Sequence, residues 1–186
     1  MTSVIGIYTG KDLEKMQLEG GSAYWKARTD RLDKAEYVIL MRNHRAPWAV
    51  KDGVSHGQAF MIGKISGWKA SKEYEGRKVI HISEYSLLPD TANFKKAWRK
   101  LTDGQRYPLA YITTDDLLEN IDLDIDSLEW SVFEDKSKSK EIMSAIDENT
   151  SEQDENALSD IIAEAKHMVA CVAGIDESKV SIQINF

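Results

Sequence analysis

Residues Tyr37–Met41 (YVILM) form an unbroken apolar run of strand length, and this run constrains the chain more than any other stretch. A strand carrying apolar side chains on both of its faces must be covered on both, so it belongs inside a layered sheet. A second strand is predicted over Gln58–Ser66, with Ala59, Met61, Gly63 and Ile65 on one side and Phe60, Ile62 and Lys64 on the other. Gly63 in mid-strand points to a bulge or a close backbone approach. Between the two strands lies a polar loop that carries Arg42, Asn43, His44, Arg45, Trp48, Lys51 and His56. A decorated loop held by a rigid sheet is where a binding site is to be sought.

The remaining elements follow from periodicity and from turn residues. Strands are predicted at Ser3–Tyr8, at Lys78–Leu88 and at Pro108–Thr113. Helical spacing marks Lys11–Leu18, ended by Gly20-Gly21, and Thr91–Leu101, with Phe94, Ala97, Trp98 and Leu101 as its apolar stripe. Ser22 suits the cap of a helix reaching about Ala35, or of a turn followed by a shorter helix. Thr114 is placed to cap a short acidic helix over Asp115–Asn120, and Trp130 and Phe133 are expected to be buried. From Glu134 to about Asn156 the composition turns to Lys, Ser, Asp, Glu and Thr, a linker signature. Beyond it, helical spacing from Leu158 to Ala173 and an alternating strand at Lys179–Asn185 form a helix–strand unit too small to fold alone. The expected organisation is therefore a main domain at 1–133, a linker at 134–156 and a docking or self-association unit at 157–186. Because strands outnumber helices before residue 113 without alternating with them, the fold class is α+β, with a curved or barrel-like mixed sheet and flanking helices.

Charge divides the chain. Residues 1–106 hold 19 Lys/Arg against 12 Asp/Glu, and residues 107–186 hold 5 against 19. The net charge of −7 thus conceals a basic part, and binding responds to the local field more than to the total. No apolar run is long enough for a transmembrane helix. The opening residues lack the basic and apolar regions of a secretory signal. The single cysteine, Cys171, excludes an intramolecular disulfide and is compatible with a reducing cytoplasm.

Several chemistries are disfavoured by spacing. Between Gly57 and Gly63-Lys64 stand five residues where a phosphate loop has four, and Ile65 follows the lysine where Ser or Thr is required. No dinucleotide fingerprint occurs. His44, His56, His81 and His167 show no metal-ligand spacing. Asp122, Asp124 and Asp126 imitate a calcium loop, yet Ser127 replaces its turn glycine and Phe133 its closing glutamate. No nucleophile motif is present. No metal and no cofactor is therefore expected, and an exposed acidic turn is the plain reading of the aspartates.

What remains is a basic and aromatic set. Arg28, Arg31, Arg42, Arg45, Lys51, Lys64, Lys69, Lys72 and the Lys95–Lys100 segment can track phosphates, while Trp25, Trp48 and Trp68 can stack bases or fill the core. In the binding reading, Trp48 and Trp25 stack a base, Asn43 and His44 contact its edge, and Arg42, Arg45 and Lys51 hold phosphates.

The order Tyr24-Trp25, then RNHRA (Arg42–Ala46), then FMIGKIS (Phe60–Ser66) resembles the EVE and ASCH branch of the PUA-like superfamily, over about residues 22–133. The resemblance implies a small β-barrel domain whose cleft receives a nucleic-acid base, often a modified one. The expectation is a cytoplasmic, non-catalytic nucleic-acid-binding domain. Two other readings stay open. One is a protein-interaction or DNA-mimic inhibitor module, motivated by the acidic stretch Asp115–Glu129. The other is an ASCH-like hydrolase of modified nucleosides.

Overall fold

The computed structural model describes residues 2–137 and, beyond them, Lys166, Lys179 and Val180. The chain divides into two units, Met1–Ser139 and Lys140–Phe186. Apart from those three positions, the helix–strand unit expected at 157–186, with Cys171, lies outside the described residues, as does the expected linker past residue 137.

Seven strands build one curled, half-barrel mixed sheet: β1 (Ser3–Thr9), β2 (Ser22–Trp25), β3 (Ala35–Arg42), β4 (Ala59–Ala70), β5 (Lys78–Leu87), β6 (Leu109–Thr113) and β7 (Ser131–Val132). The pairing path is β2-β5-β4-β3-β1-β6, with β7 added to β5. All neighbours are antiparallel except β1 and β3, which run parallel with Val4 beside Tyr37 and Tyr8 beside Met41. The architecture is α+β, as the strand-rich pattern implies.

The burial of YVILM on both faces follows from period-2 alternation in β3. Ile39 and Met41 join one apolar cluster with Val4, Ile62, Trp98, Leu117 and Ile121. Val38 and Leu40 join another with Ile5, Ile7, Met16, Leu32, Ile80 and Phe133. Helices α3 (Ala97–Thr102) and α4 (Thr114–Ile121) cover the first side, while α1 (Leu13–Leu18) and α2 (Thr29–Leu32) supply the second. Gly63 is the close approach expected of it, since a Cβ there would stand 2.8 Å from Ile82 Cγ2. Phe133 is buried and Trp130 half-buried.

Three local expectations are corrected. Ser22 begins an edge strand, β2, which pairs with β5 through Ser22–Ile80 and Ala23–Val79; helix appears only in the single turn of α2. An available sheet edge outweighs helical spacing in so short a segment. The helix expected over Thr91–Leu101 begins at Ala97, after Lys96 in the left-handed conformation (φ 60°). A continuous helix would send the Trp98 N–H to the carbonyl of Phe94. Here it donates to Gly57 O (3.0 Å), while Phe94 O accepts from Ala59 N–H (3.1 Å). The loop before β4 has taken the bonds that a helix needs. The cap of α4 is Thr113, one residue earlier than expected, in a reciprocal capping box with Asp116. Asp124 caps a single 3-10 turn at Ile125–Ser127 by accepting from Asp126 N–H. No helix among the described residues is long and apolar enough to cross a membrane.

Candidate functional site

The parallel strands β1 and β3 end side by side, Thr9 next to Arg42, and the loops that follow them help build a basic concavity. The loop 43–58 is folded back on the end of β1: Asn43 N–H donates to Thr9 O (2.7 Å) and Val50 N–H to Gly10 O (2.9 Å). Its returning limb is closed by Gly57 N–H on Arg42 O (2.8 Å).

Arg42 lies wholly inside this loop. Its Nη2 is 2.5 Å from Asp52 Oδ2, its Nη1 donates to Lys11 O (2.7 Å), and its guanidinium stacks 4.2 Å over the Phe60 ring. Its Nε is buried with no hydrogen-bond partner among the described residues. A group this enclosed and engaged organises the loop from within. Phosphate holding, the role expected of Arg42, needs an accessible guanidinium, and burial removes it from that role.

Outside the loop is a cleft of about 820 Å³, within the range of small-ligand sites. Its walls carry Arg45, Lys96, Arg99 and Arg106 together with Tyr8, Trp98, Asn43 and His56, and no carboxylate among the described residues lines it. Lys96, Arg99 and Arg106 are exposed on the segment that includes α3. Their closeness to the loop follows from the Trp98–Gly57 backbone bond. At the cleft's floor the Tyr8 and Trp98 rings are stacked, centroids 4.7 Å apart and planes 6° from parallel. Trp98 is otherwise buried and donates Nε1–H to Gln105 O (3.1 Å).

A hydrogen-bonded chain crosses the loop side of the cleft. His44 shares a 2.6 Å bond through Nε2 with Val54 O; its backbone N–H donates to His56 Nδ1 (3.2 Å); and His56 Nε2 stands 2.6 Å from Tyr8 Oη. Partial burial, followed by the neighbouring Arg45 and His44, pushes the His56 pKa below its ordinary value. Burial raises that of Tyr8, against a smaller lowering by Arg45. Both shifts favour the neutral forms. Asn43 Oδ1 accepts from Arg45 N–H (3.0 Å), which leaves the Asn43 amide hydrogens for a ligand.

Of the residues singled out in the sequence, Asn43, Arg45 and His56 of the loop and Lys96 and Arg99 of the Lys95–Lys100 segment line this cleft, and His44 stands behind it through its backbone. Trp48 does not. It is 64% exposed and borders a second, mainly apolar cavity of about 580 Å³ with Tyr24, Tyr74 and Lys11. Lys51 is exposed on the loop and lines neither cavity. Trp25 is half-buried against the sheet cluster around Ile80, its Nε1–H donated to Ser22 Oγ (3.0 Å). The rest of the wider basic set is dispersed. Arg28 pairs with Asp30, Lys64 with Glu84 and Lys95 with Asp90, and Arg31 lies over Tyr111. Tyr8, Trp98 and Arg106 were not singled out for binding, while His56, Lys96 and Arg99 entered only as members of the polar loop and of the basic Lys95–Lys100 segment. The signal that could have drawn Trp98 in was the basic character of Lys95–Lys100 around it.

In the second cavity, Lys11 pairs with Glu19, donates to Ala23 O (2.9 Å) and sits 4.6 Å above the Tyr24 ring. Burial lowers the Lys11 pKa and raises that of Tyr24. The ammonium is thus bonded to two oxygens and seated on the ring, and the pair acts as a wall.

Comparison with family models, with curated proteins and with solved structures finds no match for this chain.

Proposed function

We propose that residues 2–137 form a non-catalytic nucleic-acid-binding domain of PUA-like, EVE/ASCH type, with the cleft between the 43–58 loop and the Lys96–Arg106 segment as its binding surface. The observation that carries this reading is the company of four cationic side chains and two aromatic rings around a cleft that no carboxylate among the described residues lines. Cations gathered on one surface neutralise phosphates, and binding gains from counterion release. Asn43 offers donors to a base edge, and Trp48, exposed on the outer side of the same loop, offers a face for a neighbouring base. A modified base is the ligand that the EVE and ASCH resemblance suggests for the cleft.

The test is a titration of single- and double-stranded DNA and RNA against the full chain at several salt concentrations. Affinity falling steeply with salt is expected. Arg45→Ala and Arg99→Ala are each expected to weaken binding and to reduce the slope of log K against log salt by about 0.7 for single strands. Absence of binding at low salt to all four polymers would overturn the reading.

A further inference from the structure

We propose that Tyr8 is the hydroxyl of the cleft that meets an oxyanion of the ligand, always as donor, and that His44 and His56 are positioning residues that set this direction. The identity of the ligand as a nucleic acid rests on the reading above; the polarity of the chain does not.

The argument starts from a group with only one option. The backbone N–H of His44 can donate but never accept, and it points at His56 Nδ1 (3.2 Å). Nδ1 must therefore present its lone pair, which places the proton of the neutral ring on Nε2. That N–H faces Tyr8 Oη at 2.6 Å, so Tyr8 accepts from His56. With one lone-pair direction of Oη filled by an incoming hydrogen, the phenolic hydrogen turns away from His56, into the cleft that Tyr8 lines. The doubly protonated ring would set an N–H against the His44 N–H, and the lowered His56 pKa agrees with its exclusion. Stacking on Trp98 fixes the plane of the phenol and leaves Oη little freedom to choose another partner.

The surroundings select what the hydroxyl meets. Arg45, Lys96, Arg99 and Arg106 add side-chain donors only, and the Asn43 amide oxygen already accepts one hydrogen bond, from Arg45 N–H. A cleft so rich in donors fits a phosphate oxygen, and a charge-assisted O–H···O⁻ bond is about twice as strong as a neutral one.

Three measurements on the full chain test this. A long-range proton–nitrogen spectrum of the wild type is expected to show His56 Nδ1 unprotonated and Nε2 protonated; the opposite tautomer overturns the proposal. Calorimetry with inorganic pyrophosphate, and anisotropy with a labelled oligothymidylate, are expected to show Tyr8→Phe weakening both probes by about tenfold or more. Phe keeps the ring stack on Trp98, so the loss reports the hydroxyl. His56→Gln, whose amide NH2 can still donate to Tyr8, is expected to retain most of the affinity that His56→Leu loses. Loss for the oligonucleotide alone would mean that Tyr8 reads a base carbonyl, and would overturn the phosphate assignment. Wild-type affinity for both probes in Tyr8→Phe, beside weakened oligonucleotide binding in Arg45→Ala, would overturn this inference and leave the nucleic-acid reading standing. Tyr8-dependent binding of pyrophosphate without oligonucleotide binding would do the reverse.

Discussion

Arg42 Nη2 and Asp52 Oδ2 meet at 2.5 Å beneath the loop, the guanidinium fully buried and the carboxylate 29% exposed. The pair ties the end of β3 to the returning limb of the loop whose other side forms the cleft wall. It is a folding element of the site, distinct from its binding surface.

Removing one partner leaves a buried charge unmatched. Asp52→Ala is expected to cost about 3 kcal/mol in urea unfolding, the lower end of the range for broken buried pairs because Asp52 is partly hydrated. Replacing both, as Arg42→Met with Asp52→Asn, removes the charge together with its partner and is expected to recover most of that loss. A single variant as stable as wild type would show that the pair contributes nothing.

Gly21 presses on a neighbour that cannot step aside. Its φ is 142°, and a Cβ there would lie 2.2 Å from the carbonyl oxygen of Ile80. Gly21→Ala is expected to part β2 from β5 and cost about 3 kcal/mol. Gly53, also at positive φ (80°) but with nothing within 4 Å of a Cβ, supplies the control. There the alanine change is expected to cost only about 1 kcal/mol, the left-handed strain alone.

His56 links stability to pH. The groups that face it are Tyr8 from β1, with His44 and Arg45 from the loop. Its native pKa lies below the unfolded value of about 6.5. Between the two, the unfolded chain binds more protons, so stability rises with pH through that window. The His56 contribution is complete above the unfolded pKa and is lost as pH falls through the native one. Urea midpoints measured from about pH 5 to about pH 7.5 are expected to climb more steeply for wild type than for His56→Gln. Parallel profiles would show that His56 titrates as it does in the unfolded chain.

Trp48 separates fold from binding. Being 64% exposed, its replacement by Ala is expected to change stability by no more than about 0.5 kcal/mol. In the proposed function it stacks a base beyond the cleft, and its loss is expected to weaken single-stranded binding about five- to tenfold. Unchanged affinity would confine recognition to the cleft of Tyr8 and Arg45.

The strand core was readable because period and composition are local properties. Tyr37–Met41 could be assigned to a strand covered on both faces without knowing its neighbours, and Gly63 announced a close approach. The edge strand β2 was not readable, since Ser22–Trp25 carries no strand pattern that outweighs a helical one. Its state is decided by the open edge of β5. The break at Lys96 was hidden for a similar reason: Gly57, distant in sequence, supplies the acceptor that diverts the Trp98 N–H.

For the site, the amino-acid order by itself determined that a basic, histidine-bearing loop follows a buried strand, and it supplied Asn43 and Arg45. Only the tertiary structure decided what that loop faces. Tyr8 reaches His56 because β1 lies parallel to β3 and both end at the same level, and the arginines of α3 and the following turn arrive through one backbone bond to Gly57. Arg42, alike in kind to Arg45 and three positions before it, is turned inward because Asp52 and the Lys11 carbonyl wait there. Charge is written in the residues; which charges share a cleft depends on pairings between strands and loops far apart along the chain.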